Sequence, residues 1–165
     1  VKAVELAANY DCSVYWTNLN NEADLIQKLD KDSYQIKGSM DIDKKEDILL
    51  NFFQGNIKKL ITKPKMTAFG LNWQHCNHTI FFPTYSYEQY YQSVRRFWRF
   101  GQKKQVVVDM VYSDGQKKVI ESLIEKSKKA DELFDKLNKN VNREFKIKRN
   151  EFDKQIKLPN FLGGK

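Results

Sequence analysis

Apolar positions along the chain alternate between short strand-like runs and helical spacings of three and four, and this alternation sets the expected architecture. Cys12 to Trp16 is a β-prone run, followed by turn residues Asn18 to Asn21 and the helical pattern Ala23, Ile26, Gln27, Leu29. Tyr34 to Lys37 reads as a second strand. Asp43 and Glu46 then give a capping-box signal for a helix carrying Ile48, Leu49, Phe52 and Phe53. Ile57 to Thr62 predicts a third strand and His78 to Phe82 a fourth. Ser86 and Gln89 cap the next helix, and Gln105 to Val111, nearly all β-branched, reads as a fifth strand of the kind buried on both faces. Strands and helices alternating at this spacing imply βαβ crossovers, hence an α/β fold with a mainly parallel sheet flanked by helices.

Beyond Ser113 the pattern changes to a Lys-rich helical extension. Val119, Ile120, Leu123 and Ile124, then Leu133, Phe134, Leu137 and Val141, make an apolar stripe that most simply docks back onto the body. The end from Leu158 to Lys165 breaks helix and is expected to fray, with Phe161 and Leu162 available to pin it. The expected organisation is one lobe, residues 1–112, and a helical extension, 113–165, packed on it.

Composition supports a folded chain. At 165 residues, with 41% hydrophobic and 13% aromatic residues, it can bury a sizeable core. Lys and Arg number 29 against 21 Asp and Glu, and the net charge of +8 points to a polyanionic partner, nucleic acid first and an anionic membrane second. No apolar run approaches the ~18 residues of a membrane span and no start resembles a signal peptide, so a soluble, cytoplasmic protein is expected. Two cysteines, Cys12 and Cys76, make no disulfide framework and are expected as reduced thiols. His75, Cys76 and His78 lack a second ligand pair at finger or ribbon spacing, so no metal site is expected.

The chemistry concentrates in Gln92 to Gln102, which holds Arg95, Arg96 and Arg99. Read as one helix, it puts Gln92, Arg96 and Arg99 on one face, with Arg95 at the border, and Tyr91, Val94 and Trp98 on the opposite apolar face. Guanidiniums held in this way suit an anionic target rich in planar oxygens, such as a triphosphate. An arbitrary Arg-rich helix is more often a solvated basic face, and the context upstream decides between the two.

That context is the run Leu60 to Phe82, with Gly70-Leu71-Asn72 in its loop. Together the segments resemble motifs V and VI of superfamily-two helicases, Swi/Snf-type branch, whose motif VI reads Q-x-x-x-R-x-x-R-x-G-Q. Gln92, Arg96, Arg99, Gly101 and Gln102 match it throughout, Gly70-Leu71-Asn72 matches the core of motif V, and Lys37-Gly38-Ser39-Met40 resembles the short Gly-Ser motif IVa. The wording Trp-Gln-His-Cys and Tyr-Glu-Gln-Tyr-Tyr-Gln is most similar to DEAD-like helicases of phages and prophages. Ala68 departs from the family, where Gly is common.

The resemblance implies a RecA-like, P-loop-NTPase-type lobe whose cofactor is ATP with magnesium. It assigns Arg96 and Arg99 as catalytic arginine fingers and Gly70, Asn72, Gln92, Arg95 and Gln102 to nucleotide binding. In an α/β sheet ligands bind beyond the carboxyl ends of the strands, so Lys37, Gly38, Ser39, Lys63, Lys65 and Thr67 are the candidates for a nucleic-acid backbone. The chain contains no G-x-x-x-x-G-K-[ST] loop and no strand-end acidic box. The expectation is therefore the second lobe of a DNA helicase or translocase, partnered by an N-terminal lobe of the same protein that holds the magnesium. Two other readings stay open: a non-catalytic nucleic-acid-binding module with a RecA-like fold, and a protein-interaction domain working through the Lys-rich helix.

Overall fold

The computed structural model describes residues 2–66 and 72–152, with side chains described as far as 139. Thr67, Ala68 and Gly70, the Val141 side chain and the expected tail with Phe161 and Leu162 lie outside them. Two compact units divide the chain, 1–124 and 125–165.

In the first unit the elements run α1 (Lys2–Ala7), β1 (Ser13–Trp16), α2 (Asn20–Leu29), β2 (Ser33–Gln35), α3 (Ile42–Phe53), β3 (Lys59–Thr62), β4 (His78–Phe81), α4 (Tyr87–Val94) and β5 (Val107–Met110). Among the described residues the strands form one sheet in the order β2-β3-β1-β4-β5, and every pairing is parallel. This is the expected RecA-like architecture. Strand alternation builds a core on each face of the sheet. Val14, Trp16, Leu60 and Phe81 point to one side, where Leu49 and Phe52 of α3, Trp73 and Phe97 join them. Tyr15, Ile61 and Ile80 point to the other, covered by Ala3 and Ala7 of α1 and Ala23 and Ile26 of α2. The helix α1, not expected from the sequence, owes its close seat to alanines four apart, both fully buried.

Three local expectations are corrected. β5 is an edge strand, and its four residues are half-buried rather than enclosed on both faces. α3 begins at Ile42 with Asp41 as its N-cap, two positions before the expected capping box, and no side chain caps it. Most consequentially, α4 stops at Val94, so the arginines do not ride on a continuous helix. Ser86 caps its start as expected, its Oγ accepting the Gln89 N–H at 3.3 Å.

In the second unit, the part of α5 (Lys117–Phe152) from Glu125 onward carries Leu133, Phe134 and Leu137 about half exposed. No helix among the described residues is long and apolar enough to cross a membrane.

A buried polar chain joins three strands. His78, fully buried at the start of β4, has Nδ1 2.7 Å from Ser13 Oγ on β1 and Nε2 3.0 Å from an Asp109 carboxylate oxygen on β5. The carboxylate only accepts, so Nε2 carries the proton and Nδ1 accepts from the serine hydroxyl. The Tyr10 ring stacks on the imidazole at 3.7 Å. Ser13 is itself fully buried, so the Ser-His-Asp order serves the sheet and presents no nucleophile. Burial holds His78 below its ordinary value of 6.5 despite the opposing pull of Asp109. The unfolded chain therefore binds the proton more readily, and His78's contribution to stability is present above about pH 6.5 and lost as pH falls through the lowered native value. The urea midpoint of the native chain is expected to drop between pH 7.5 and pH 5.5 by more than that of His78→Gln. Parallel pH profiles for the two would contradict this assignment.

Candidate functional site

After Val94 the backbone leaves the helix through a tight turn, in which Arg96 and Phe97 N–H groups donate to the carbonyls of Ser93 and Val94, three residues back. Phe97, fully buried, enters the core against Trp73 and Trp16 with ring centroids 5.7 and 6.4 Å away. It extends the face that Tyr90 and Ser93 of α4 already turn to the core, not the expected face of Tyr91, Val94 and Trp98. Here Trp98 is 62% exposed and Phe100 fully so, while Ser93 and Phe97 are the buried pair. The turn ends at Gly101, whose φ of +99° favours glycine, and the Gln74 side chain sits 3.3 Å from where a Cβ would lie.

The segment rests on Asn72-Trp73-Gln74. The Trp73 N–H donates to the Arg96 carbonyl at 2.9 Å, and the Arg96 guanidinium lies over the Trp73 ring at 5.6 Å. Arg99 Nη1 donates to Asn72 Oδ1, and Gln74 Nε2 donates to the Phe100 carbonyl. Gln102 Nε2 reaches back to the carbonyls of Gln74, Cys76 and Phe97 at 3.1, 3.1 and 3.3 Å, while its oxygen accepts the Lys104 N–H at 3.0 Å. Both ends of the Gln102 amide are thus engaged within the chain, and the residue braces the two segments together.

Arg99 lies close enough to Arg96 for its charge to be felt there. Burial first, and then the neighbouring Arg99, push the Arg96 guanidinium below the usual arginine value. Guanidinium donors are all N–H groups, a set that fits phosphate oxygens and not a metal cation. The other expected nucleotide contacts stand apart from this pair. Arg95 lies over the rings of Tyr91 and Trp98 at 5.7 and 5.8 Å, and exposed Gln92 donates to Glu88 at 3.0 Å.

The expected nucleic-acid residues gather at the carboxyl edge of the sheet. Lys37, Gly38, Ser39 and Lys63 line a cavity of about 370 Å³, and Lys63 and Lys65 line a neighbouring one of about 670 Å³ with Thr17, Asn18 and Thr84. Both lysines of the smaller cavity have internal partners: Lys37 Nζ donates to Asp24 at 3.0 Å and Lys63 Nζ to Asn20 at 2.6 Å. The Lys37 bond holds the Asp24 carboxyl below its usual range. Gly38 has nothing within 4 Å of a Cβ position, so its flank is open to an approaching backbone. A third cavity, about 410 Å³, adjoins Arg99, Gln102 and Lys104, and none of the three is lined by both groups of residues.

Cys12 and Cys76 are buried free thiols beside each other, and the hydrogen bond from Cys76, more than His75, draws Cys12 down to about 6 while burial pushes Cys76 up. Among the described residues no group of three or more His, Cys, Asp or Glu is placed to hold a metal ion. Sequence reasoning missed Trp73, Gln74 and Phe97. The one signal that could have found them was the Trp-Gln pair directly after the Gly-Leu-Asn core, since nothing in the local periodicity marks them.

Fold and site together define a RecA-like lobe in which Arg96 and Arg99 rest on Asn72-Trp73-Gln74. Residues 2–101 match the family model described as the helicase conserved C-terminal domain, and the chain belongs to that family. Similar solved structures include the C-terminal part of the Fun30 ATPase domain (TM-score 0.62, 17% identity, covering 74% of this chain and 44% of that one). The S. cerevisiae Dbp5 C-terminal domain bound to Gle1 and IP6 gives 0.61 at 16% identity, covering 74% and 73%. Mycobacterium smegmatis helicase Lhr bound to ssDNA and AMP-PNP gives 0.56 at 13%, covering 66% and 16%. The chain thus spans less than half of the Fun30 structure. At these identities the likeness carries the fold. A search of curated proteins finds no match.

Proposed function

We propose that this lobe is the second motor lobe of an ATP-dependent DNA helicase or translocase of the Swi/Snf type, most like those of phages. The supporting observation is the arginine pair, Arg96 and Arg99, seated on Asn72-Trp73-Gln74, because two guanidiniums there offer N–H donors of the kind that bind phosphate oxygens. In this reading ATP is the substrate, held between the lobes. The first lobe provides the phosphate loop and the acidic residues for magnesium, and magnesium when bound neutralises charge on the phosphate oxygens. Arg96 and Arg99 add fixed N–H donors to the charge that spreads over the transferred phosphoryl group. Gly70 and Asn72 connect that pocket to the loop toward DNA, while Gln92, Arg95 and Gln102 support the nucleotide side. Lys37, Gly38, Ser39, Lys63, Lys65 and Thr67 track the DNA backbone, and lobe closure on ATP becomes movement along it.

The lobe alone is expected to hydrolyse no ATP, since half of the site belongs to the other lobe. It is expected to bind a single-stranded oligonucleotide weakly, with affinity falling steeply as salt rises and little preference among sequences of equal length. Lys37→Ala and Lys63→Ala are each expected to flatten the log–log salt slope by about 0.7 for the one phosphate contact removed. The reading fails at the nucleic-acid end if the slope is unchanged in both variants. It fails at the nucleotide end if the lobe alone turns over ATP in a manner sensitive to Arg96→Ala.

A further inference from the structure

We infer that Gln74 is a positioning residue for the arginine pair, an inference that rests on the nucleotide-site reading above. Gln74 is joined to the arginine segment at three points. Its Nε2 donates to the Phe100 carbonyl, its own carbonyl accepts from Gln102 Nε2 at 3.1 Å, and its side chain fills the space beside Gly101 that a Cβ would need. Phe100 is the residue directly after Arg99, and its carbonyl lies in the Phe100–Gly101 peptide, so the grip anchors the backbone one residue beyond Arg99. Two residues earlier in the chain, Asn72 accepts from the guanidinium itself. The backbone just beyond Arg99 and the tip of its side chain are therefore held by one tripeptide, with Trp73 beneath Arg96 between them.

The consequence is geometric. Arg99 is exposed, and an exposed arginine loses much rotamer freedom when it docks on an anion. Asn72 limits that loss by holding the guanidinium in advance, and the Gln74 grip keeps the neighbouring backbone where that contact can form. Gly101 is part of the same device, because its positive φ and missing Cβ let the Gln74 amide lie against the turn. Gln74 itself has no need to touch nucleotide.

The test uses the complete two-lobe protein at saturating ATP and nucleic acid. Gln74→Met keeps the length and most of the packing but removes the amide, and Gln74→Ala removes both. Gln74→Met is expected to lower kcat toward 10²-fold, the scale of a displaced catalytic group, with the KM for ATP, the nucleic-acid affinity and the melting temperature nearly unchanged. Combined with Arg99→Lys it is expected to add little, because both changes disable the same contact. A residue that merely helps folding would lower the melting temperature and leave the kcat of the folded fraction intact, and that result overturns the inference. So does a full multiplicative loss in the double variant. If Gln74→Ala fails to fold, Gln74→Met decides alone. Failure of the underlying reading looks different, since Arg99→Lys itself would then turn over normally.

Discussion

Arg99→Lys in the two-lobe protein is expected to abolish most nucleic-acid-stimulated ATP turnover, with a loss within the ~10³–10⁵-fold range that arginine fingers contribute. Lysine keeps the charge but not the planar fork, and the Arg99 fork makes its internal contact through Nη1 to Asn72, a geometry an ammonium on a shorter stem does not reproduce. The measurement is steady-state turnover at saturating ATP and nucleic acid, alongside nucleic-acid affinity. The loss should fall on kcat, because the interaction is made with charge that develops in the transition state. Lys128→Ala and Lys129→Ala supply the control. Lys129 lies on the exposed face of α5, paired with Glu125 at 2.7 Å, and removing either charge should leave turnover close to normal. Near-normal turnover in Arg99→Lys would mean that the segment holds the fold or the nucleic acid and takes no part in phosphoryl transfer.

Phe97→Ala is expected to cost about 3–5 kcal/mol of stability, as truncating a fully buried aromatic side chain does when its neighbours cannot close the cavity. Phe97 meets Trp73 and Trp16 edge to face, and Phe52 completes the group against Trp73 at 5.5 Å, so several rigid rings would line the void. The same change loosens the turn that delivers Arg96 and Arg99, so turnover in the surviving folded fraction should fall as well. Trp98→Ala is the informative companion. Trp98 is 62% exposed, and apart from its contact with Arg95 it has little to lose, so the change should cost about 1 kcal/mol or less. Urea midpoints for the two variants check the order. A Trp98→Ala penalty as large as that of Phe97→Ala would contradict the placement of Phe97, and not Trp98, in the core.

Much of this protein follows from local rules that act on a few residues at a time. Val14 against Tyr15, Leu60 against Ile61 and Ile80 against Phe81 had to face opposite ways once those runs were strands, and that alone builds two cores around one sheet. Ser86 had an acceptor three residues before a free N–H, which set the start of α4. The spacing of Gln92, Arg96, Arg99, Gly101 and Gln102, read with Gly70-Leu71-Asn72 upstream, carried the resemblance to the family. Other features depended on partners far away in the chain, which local periodicity does not contain. Nothing within Gln105 to Val111 says that its strand ends at the edge of the sheet, because strand order is settled by which crossovers pack. Which face of the Arg segment is buried was settled by an aromatic pocket that Trp16, Phe52 and Trp73 build and Phe97 fills. Likewise the arginines owe their placement to Asn72, Trp73 and Gln74, more than twenty residues upstream. An arginine's charge is written in the sequence, but its direction is fixed only when hydrogen bonds from another segment remove the freedom of its backbone and side chain.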